Sequence, residues 1–170
     1  DLDHQKAAAF FTGALRTSPV LISAWVDMAK VAEYTTSPDL AYSIHDMLQN
    51  SLDEVTTWKW QELLMAYDLG SDQAFEDILN FIFRRMPGRT MDACFVASQY
   101  WGTWSAIAQR LDHENLPRFI RHCMRTRHTH AGIEAWKRLS DPDPDLGVLF
   151  SHYLLHRKDI PAALSVWEKV

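Results

Sequence analysis

Two stretches of this chain, residues 118–139 (RFIRHCMRTRHTHAGIEAWKRL) and 149–170 (LFSHYLLHRKDIPAALSVWEKV), align without a gap at a spacing of 31 residues. The register sets Phe119 on Phe150, Ile133 on Leu164, Trp136 on Trp167 and Leu139 on Val170. Upstream, AWVDMAKVAEY matches KWQELLMAYDL with Trp25 on Trp60, and Ala41 and Tyr42 then fall on Ala74 and Phe75. A chain that reuses one short unit builds its core between neighbouring copies, because a single unit is too small to shelter its own apolar side.

The repeated unit is helical. Trp25, Met28, Ala29 and Ala32 fall at i, i+3, i+4 and i+7, as do Trp60, Leu63, Leu64 and Tyr67, so each set makes one apolar stripe; strand-like alternation is absent. Breakers separate the stripes at Ser37-Pro38-Asp39, Gly70-Ser71-Asp72, Pro87-Gly88 and the run from Asp141 to Asp145, where Asp143 alternates with prolines. Carboxylates there, and at Asp53 and Glu54, suit helix starts. The pattern predicts a helix over 3–17 and pairs over 20–34 with 38–50, 53–69 with 71–86, 90–101 with 103–111, 114–127 with 129–140, and 145–157 with 159–170. Connections this short make paired helices antiparallel. Trp25, Trp60, Trp136 and Trp167 occupy the stripes and are expected in the core, whereas Trp58 lies on the other side of its helix and is expected to face outward.

The segment LGVLFSHYLLHRKDIPAALSVWEKV resembles a tetratricopeptide repeat: Phe150, Ser151 and Leu154 on the first helix, a turn at Arg157-Lys158-Asp159, then Ala163 and Trp167 on the second. Earlier units keep the scheme with Trp25, Met28, Ala29 and Ala41, and with Trp60, Leu63, Leu64, Tyr67, Gly70 and Ala74, and a closing proline stands at Pro19. Half-a-tetratricopeptide and pentatricopeptide arrays are related families, and the texture is also similar to bacterial repeat proteins of cell-envelope and exopolysaccharide systems. The resemblance implies an all-α, right-handed superhelix (α-solenoid) of about five antiparallel hairpins over 1–170, one repeat domain and a segment of a longer repeat protein. It implies a concave groove lined by set positions of each first helix: Val26, Lys30, Glu33 and Tyr34; Trp58, Gln61, Met65 and Asp68; Arg121, Met124 and Arg125; Val148, His152, Leu155 and His156. A groove of that kind holds a protein or peptide, and such arrays also form oligomers.

Charge narrows the partner. The chain carries a formal charge of −5, which offers no global field for nucleic acid or an anionic membrane. Between 110 and 138, however, seven basic residues, Arg121 and Arg125 among them, face three acidic ones. That local excess suits an acidic peptide, a phosphate or RNA, and RNA binding in the pentatricopeptide manner is the alternative function. No apolar run approaches the roughly 18 residues of a membrane span.

Catalysis and metal binding have little support in the residues. There is no G-x-S-x-G elbow, phosphate-cradling glycine loop or H-x-E with C-x-x-C. His152 and His156 share the i, i+4 spacing of metal ligands, but Tyr153 stands where H-E-x-x-H has glutamate. His122, Cys123, His128 and His130 are close in sequence and badly placed to converge, and Cys94 sits in an apolar run as packing. The expectation is a non-catalytic scaffold with no cofactor and no metal.

Overall fold

The structure, a computed structural model, describes residues 2–18, 22–34, 37–52 and 56–170, with the side chains at 2–4, 15, 33, 34, 38, 49, 51, 52 and 57 outside the description. Glu33 and Tyr34 as groove side chains, Pro19 as a closing proline, and Asp53 and Glu54 as caps therefore lie outside the described residues.

The described residues form eleven α-helices and two 3-10 turns, with no strand among them. In order these are α1 (Leu2–Thr17), α2 (Ile22–Tyr34), α3 (Pro38–Leu52), α4 (Thr56–Asp68), α5 (Asp72–Arg85), α6 (Thr90–Tyr100), α7 (Trp104–Arg110), α8 (Leu116–Thr126), α9 (Thr129–Arg138), α10 (Pro144–His156) and α11 (Ile160–Trp167). The 3-10 turns at Pro87–Arg89 and His113–Asn115 lead into α6 and α8. Every helix predicted from the apolar spacing is present. No described helix is long and apolar enough to cross a membrane.

Local chemistry explains the boundaries. The Thr103 hydroxyl accepts from the Ala106 N–H at 3.1 Å to start α7; Asp143 does the same for Asp145 at the start of α10, and Asp159 for Ala162 at the start of α11. Helix ends repeat one device. Gly70, Arg127 and Lys158 all take left-handed φ, at 65°, 65° and 63°. The following N–H then reaches back five residues, from Ser71 to Ala66 O, His128 to Cys123 O and Asp159 to Leu154 O, each at 3.0 Å. This is the Schellman closure. Arg127 and Lys158 stand 31 residues apart, so the sequence repeat is also a repeat of backbone conformation.

By internal contacts the chain divides into two compact units, Asp1–Ile78 and Leu79–Val170, the division falling within α5. In the first, α1 packs on α2, α2 on α3, and α4 against both α2 and α3. Its core joins Val26, Ala29, Ile44, Leu48, Trp58 and Met65, with Ile22, Trp25 and Met28 packed alongside.

In the second unit α6 packs on α7, α8 on α9 and α10 on α11, while α7 also meets α9 and α8 meets α10. Helices of equal rank in successive pairs thus touch, first on first and second on second. Phe83, Phe119 and Phe150 are fully buried. A methyl at Gly132 would stand 3.2 Å from Cys123 Cβ and 3.3 Å from Phe150 Cζ, a tight fit, so the missing side chain eases the close approach of α8, α9 and α10.

Two expectations for the tryptophans fail. Trp58, expected outside, is 3% exposed, because α2, α3 and α4 close over its indole and an exposed ring of that area would forfeit a large apolar burial. Trp167, expected inside, is 46% exposed while its repeat mate Trp136 is 2% exposed. Trp136 lies under Phe150, with ring centroids 5.8 Å apart. Trp25 and Trp60 are half-buried.

Candidate functional site

In the second unit, α8 and α10 run side by side, and their shared surface is a groove of about 800 Å³. Arg118, Arg121, His122, Met124 and Arg125 of α8 line one wall, Leu149, His152, Tyr153 and His156 of α10 the other, and Pro87 and Thr90 close the α6 end. Four of the expected site residues, Arg121, Arg125, His152 and His156, therefore meet in one groove, with the expected Met124 beside them. Their spacing accounts for this: positions 121 and 125 share a face of α8, as 152 and 156 do of α10. Val148 and Leu155 are exposed on α10 but do not line it.

The basic wall is held in place from within. Arg118 donates to the Phe83 carbonyl, so it serves as a fastener as much as a binding group. Arg125 donates to Nδ1 of His122, a buried ring whose Nε2 lies 2.6 Å from the Thr90 hydroxyl. A guanidinium only donates, so Nδ1 must accept and the proton must sit on Nε2. Thr90 completes the chain by donating to the Pro87 carbonyl at 3.0 Å. All three bonds agree on a neutral His122. Burial first, and then the charges of Arg125 and Arg118, lower its pKa to about 4. Sequence reasoning weighed this histidine as a metal ligand and missed its role as a brace; its place one helical turn before Arg125 was the available signal.

Arg121 has an acidic neighbour, Asp143 Oδ2, 3.9 Å from its Nη2, with both side chains about half exposed. At that distance and exposure the pair is worth little, and an incoming acid can compete for the guanidinium. Met124, Leu149 and Tyr153 supply apolar surface between the charges. The site offers several donors, one loosely held cation and a greasy strip.

The positions that the resemblance sets beside these in the first unit fare differently. Met65 is buried with Trp58, and Val26 joins them in the core. Most of the surface of Trp58 and Met65 is taken up by the contact of α2, α3 and α4. Gln61 stays exposed, in a cleft of about 390 Å³ that Val26 and Trp58 also line, with Ile22, Ser23 and Asp27. Lys30 is half-buried against Asp68, whose carboxyl burial pushes up and Lys30 partly pulls back down.

The candidate ligand cluster disperses. His122 is committed to Thr90 and Arg125, Cys123 is buried with its thiol pushed up to about 12, and Cys94 is buried and raised by the same cause. His128 stacks on Trp104 with centroids 3.9 Å apart, and His130 bonds Ser105 at 3.1 Å. Thiols held protonated in this way are poor nucleophiles and poor ligands.

Comparison with family models, with curated proteins and with solved structures gives no match to this chain.

Proposed function

We propose that this chain is a non-catalytic scaffold, an α-solenoid of tetratricopeptide character, that holds an extended segment of a partner protein in the groove between α8 and α10. The supporting observation is the convergence there of Arg121, Arg125, His152 and His156 around Met124, Leu149 and Tyr153. Guanidinium groups select carboxylates, and the apolar strip accepts a large side chain between them, so the fitting ligand is an acidic peptide with interspersed Leu or Phe. The equal-rank contacts of α7 with α9 and α8 with α10 support the solenoid reading.

The test is a titration of the full chain with labelled peptides that alternate Glu with Leu or Phe. Arg121→Ala with Arg125→Ala should weaken binding at least about tenfold, the loss of two charge-assisted contacts, with an unchanged helical spectrum. Binding indifferent to that double change sinks the groove. The excess of basic residues between 110 and 138 favours RNA as the second reading. Oligouridine binding that falls steeply with salt and vanishes in the double variant, with no peptide binding, would put RNA in its place.

A further inference from the structure

Arginines in the second unit are held in two ways. Arg84, on α5, lies 3.2 Å from Asp112 and 3.1 Å from Glu114, so two carboxylates answer its charge. Arg118 and Arg125, which line the groove between α8 and α10, are tied instead to neutral acceptors, the Phe83 carbonyl and Nδ1 of His122. Each bond holds the guanidinium in place and leaves its charge uncancelled. His122 registers that field: after burial, the charges of Arg125 and Arg118 are what lower its pKa. Among the described residues no carboxylate lines the groove, and Asp143 approaches Arg121 from outside it at 3.9 Å.

Three guanidiniums beside one loosely held acid carry more positive charge than a single carboxylate offsets. A phosphate monoester brings about −1.5 to −2 charges at neutral pH and three strongly accepting oxygens. Donors also stand on both walls, Arg121 and Arg125 on α8 and His152 and His156 on α10, which suits a tetrahedral anion better than a flat one. Guanidiniums fixed before the ligand arrives lose less side-chain freedom on binding it. The apolar part of the groove is fixed as well: the Tyr153 hydroxyl lies 2.8 Å from Thr129 Oγ1, and its ring stacks on Phe150 with centroids 6.2 Å apart. With Met124 and the half-exposed Leu149 it seats a hydrophobic residue next to the charge. A polyanion fits less well, because Asp141 and Asp143 lead into α10 and Asp145 opens it, and together they repel a chain charged at every residue.

We propose that the groove between α8 and α10 reads a phosphorylated side chain, flanked by Leu or Phe, in a segment of a partner protein. Arg121 and Arg125 take the phosphate oxygens, Arg118 adds its charge, and Met124, Leu149 and Tyr153 seat the apolar neighbour. This rests on the reading of the groove as a peptide site, and it narrows the ligand from acids in general to a phosphate dianion.

The experiment titrates the full chain with one labelled peptide in three forms, the residue between two leucines being serine, glutamate or phosphoserine, and follows fluorescence anisotropy at fixed ionic strength. The phosphoserine form should bind at least about tenfold more tightly than the glutamate form, and the serine form most weakly. Arg121→Lys with Arg125→Lys should erase that preference and hold the glutamate form within about twofold, since lysine keeps the charge and loses the fork. Equal affinity of the unaltered chain for the phosphoserine and glutamate forms overturns the proposal and leaves the acidic-peptide scaffold standing; binding of neither form brings down both. Inorganic phosphate that matches the affinity of the phosphoserine form would make the groove a site for the free anion and overturn the peptide as its ligand. Capture of phosphatidic-acid vesicles or oligouridine in place of the phosphoserine form would overturn it equally.

Discussion

The face that lines a groove on α8 and α10 is core on α4. Arg121, Arg125, His152 and His156 occupy it in the second unit and stay at the surface, whereas Trp58 and Met65 occupy it in the first and are buried with Val26, Ala29, Ile44 and Leu48. Positions that the tetratricopeptide resemblance sets side by side are thus groove wall or core according to their side chains. Burying arginine costs more than packing returns, so α8 keeps its outer face wet; burying an indole is favourable, so α4 draws another helix onto it. The displaced polar residues of α4 bear the cost. Lys59 and Glu62 are themselves buried, with Lys59 Nζ 3.0 Å from Glu62 Oε2. Such a pair is tolerated because both members are present, and adds little to stability.

The largest expected effect tests that contrast. Trp58→Ala should destabilise the chain by about 3–5 kcal/mol, the range for removing a buried aromatic, while Arg121→Ala should cost at most about 0.5 kcal/mol; urea unfolding measures both. Comparable losses would erase the distinction between the two faces.

A second, intermediate effect sharpens it from the groove side. His122 has a folded pKa of about 4 against 6.5 for the ordinary imidazole, so between those values the unfolded chain binds more protons than the folded one. Stability is therefore full above pH 6.5 and falls progressively toward pH 4. His122→Gln should flatten that part of the urea-midpoint profile, and a profile unchanged by it would show that the ring is not held neutral by Thr90 and Arg125.

The smallest effect concerns the turns. Arg127→Gly and Lys158→Gly should each stabilise by about 0.5–1 kcal/mol, because glycine takes left-handed φ without the clash a Cβ brings. Gly70→Ala should lose about 1 kcal/mol by the same reasoning, and thermal melts resolve the set.

The helices were legible in the sequence because apolar spacing and short breakers depend only on neighbours along the chain. Asp143 appears as a cap, and the turn at Arg157-Lys158-Asp159 closes where the repeat places it, with Asp159 adding a cap that was not read. The groove of the second unit was legible for a narrower reason: charge at 121 and 125 forbids burial, so position alone decides which way those residues face. At Trp58 position and chemistry disagree. The ring could be turned out by its place on the helix or in by its area, and only the arrival of α2 and α3 settles it. Trp136 and Trp167 show the converse limit: one is buried under Phe150 of another helix and the other is exposed, a difference that their matching helix positions do not carry. The bracing of Arg125 was hidden because Thr90 lies 32 residues from His122.

Arg118, Arg138 and Lys169 share a habit: each closes a helix that precedes its own, α5 through Phe83, α7 through Ala108 and α9 through Trp136 and Lys137. Fasteners that all point backward give the second unit a polarity. Traction applied at Val170 peels Lys169 away first and bares the end of α9 before α9 itself is strained, so the unit unzips pair by pair from that side. Traction applied at Leu79 falls at once on Asn80, whose side chain donates to the Arg110 carbonyl and accepts from the Asp112 N–H and the Asn115 amide, so several bonds must break together.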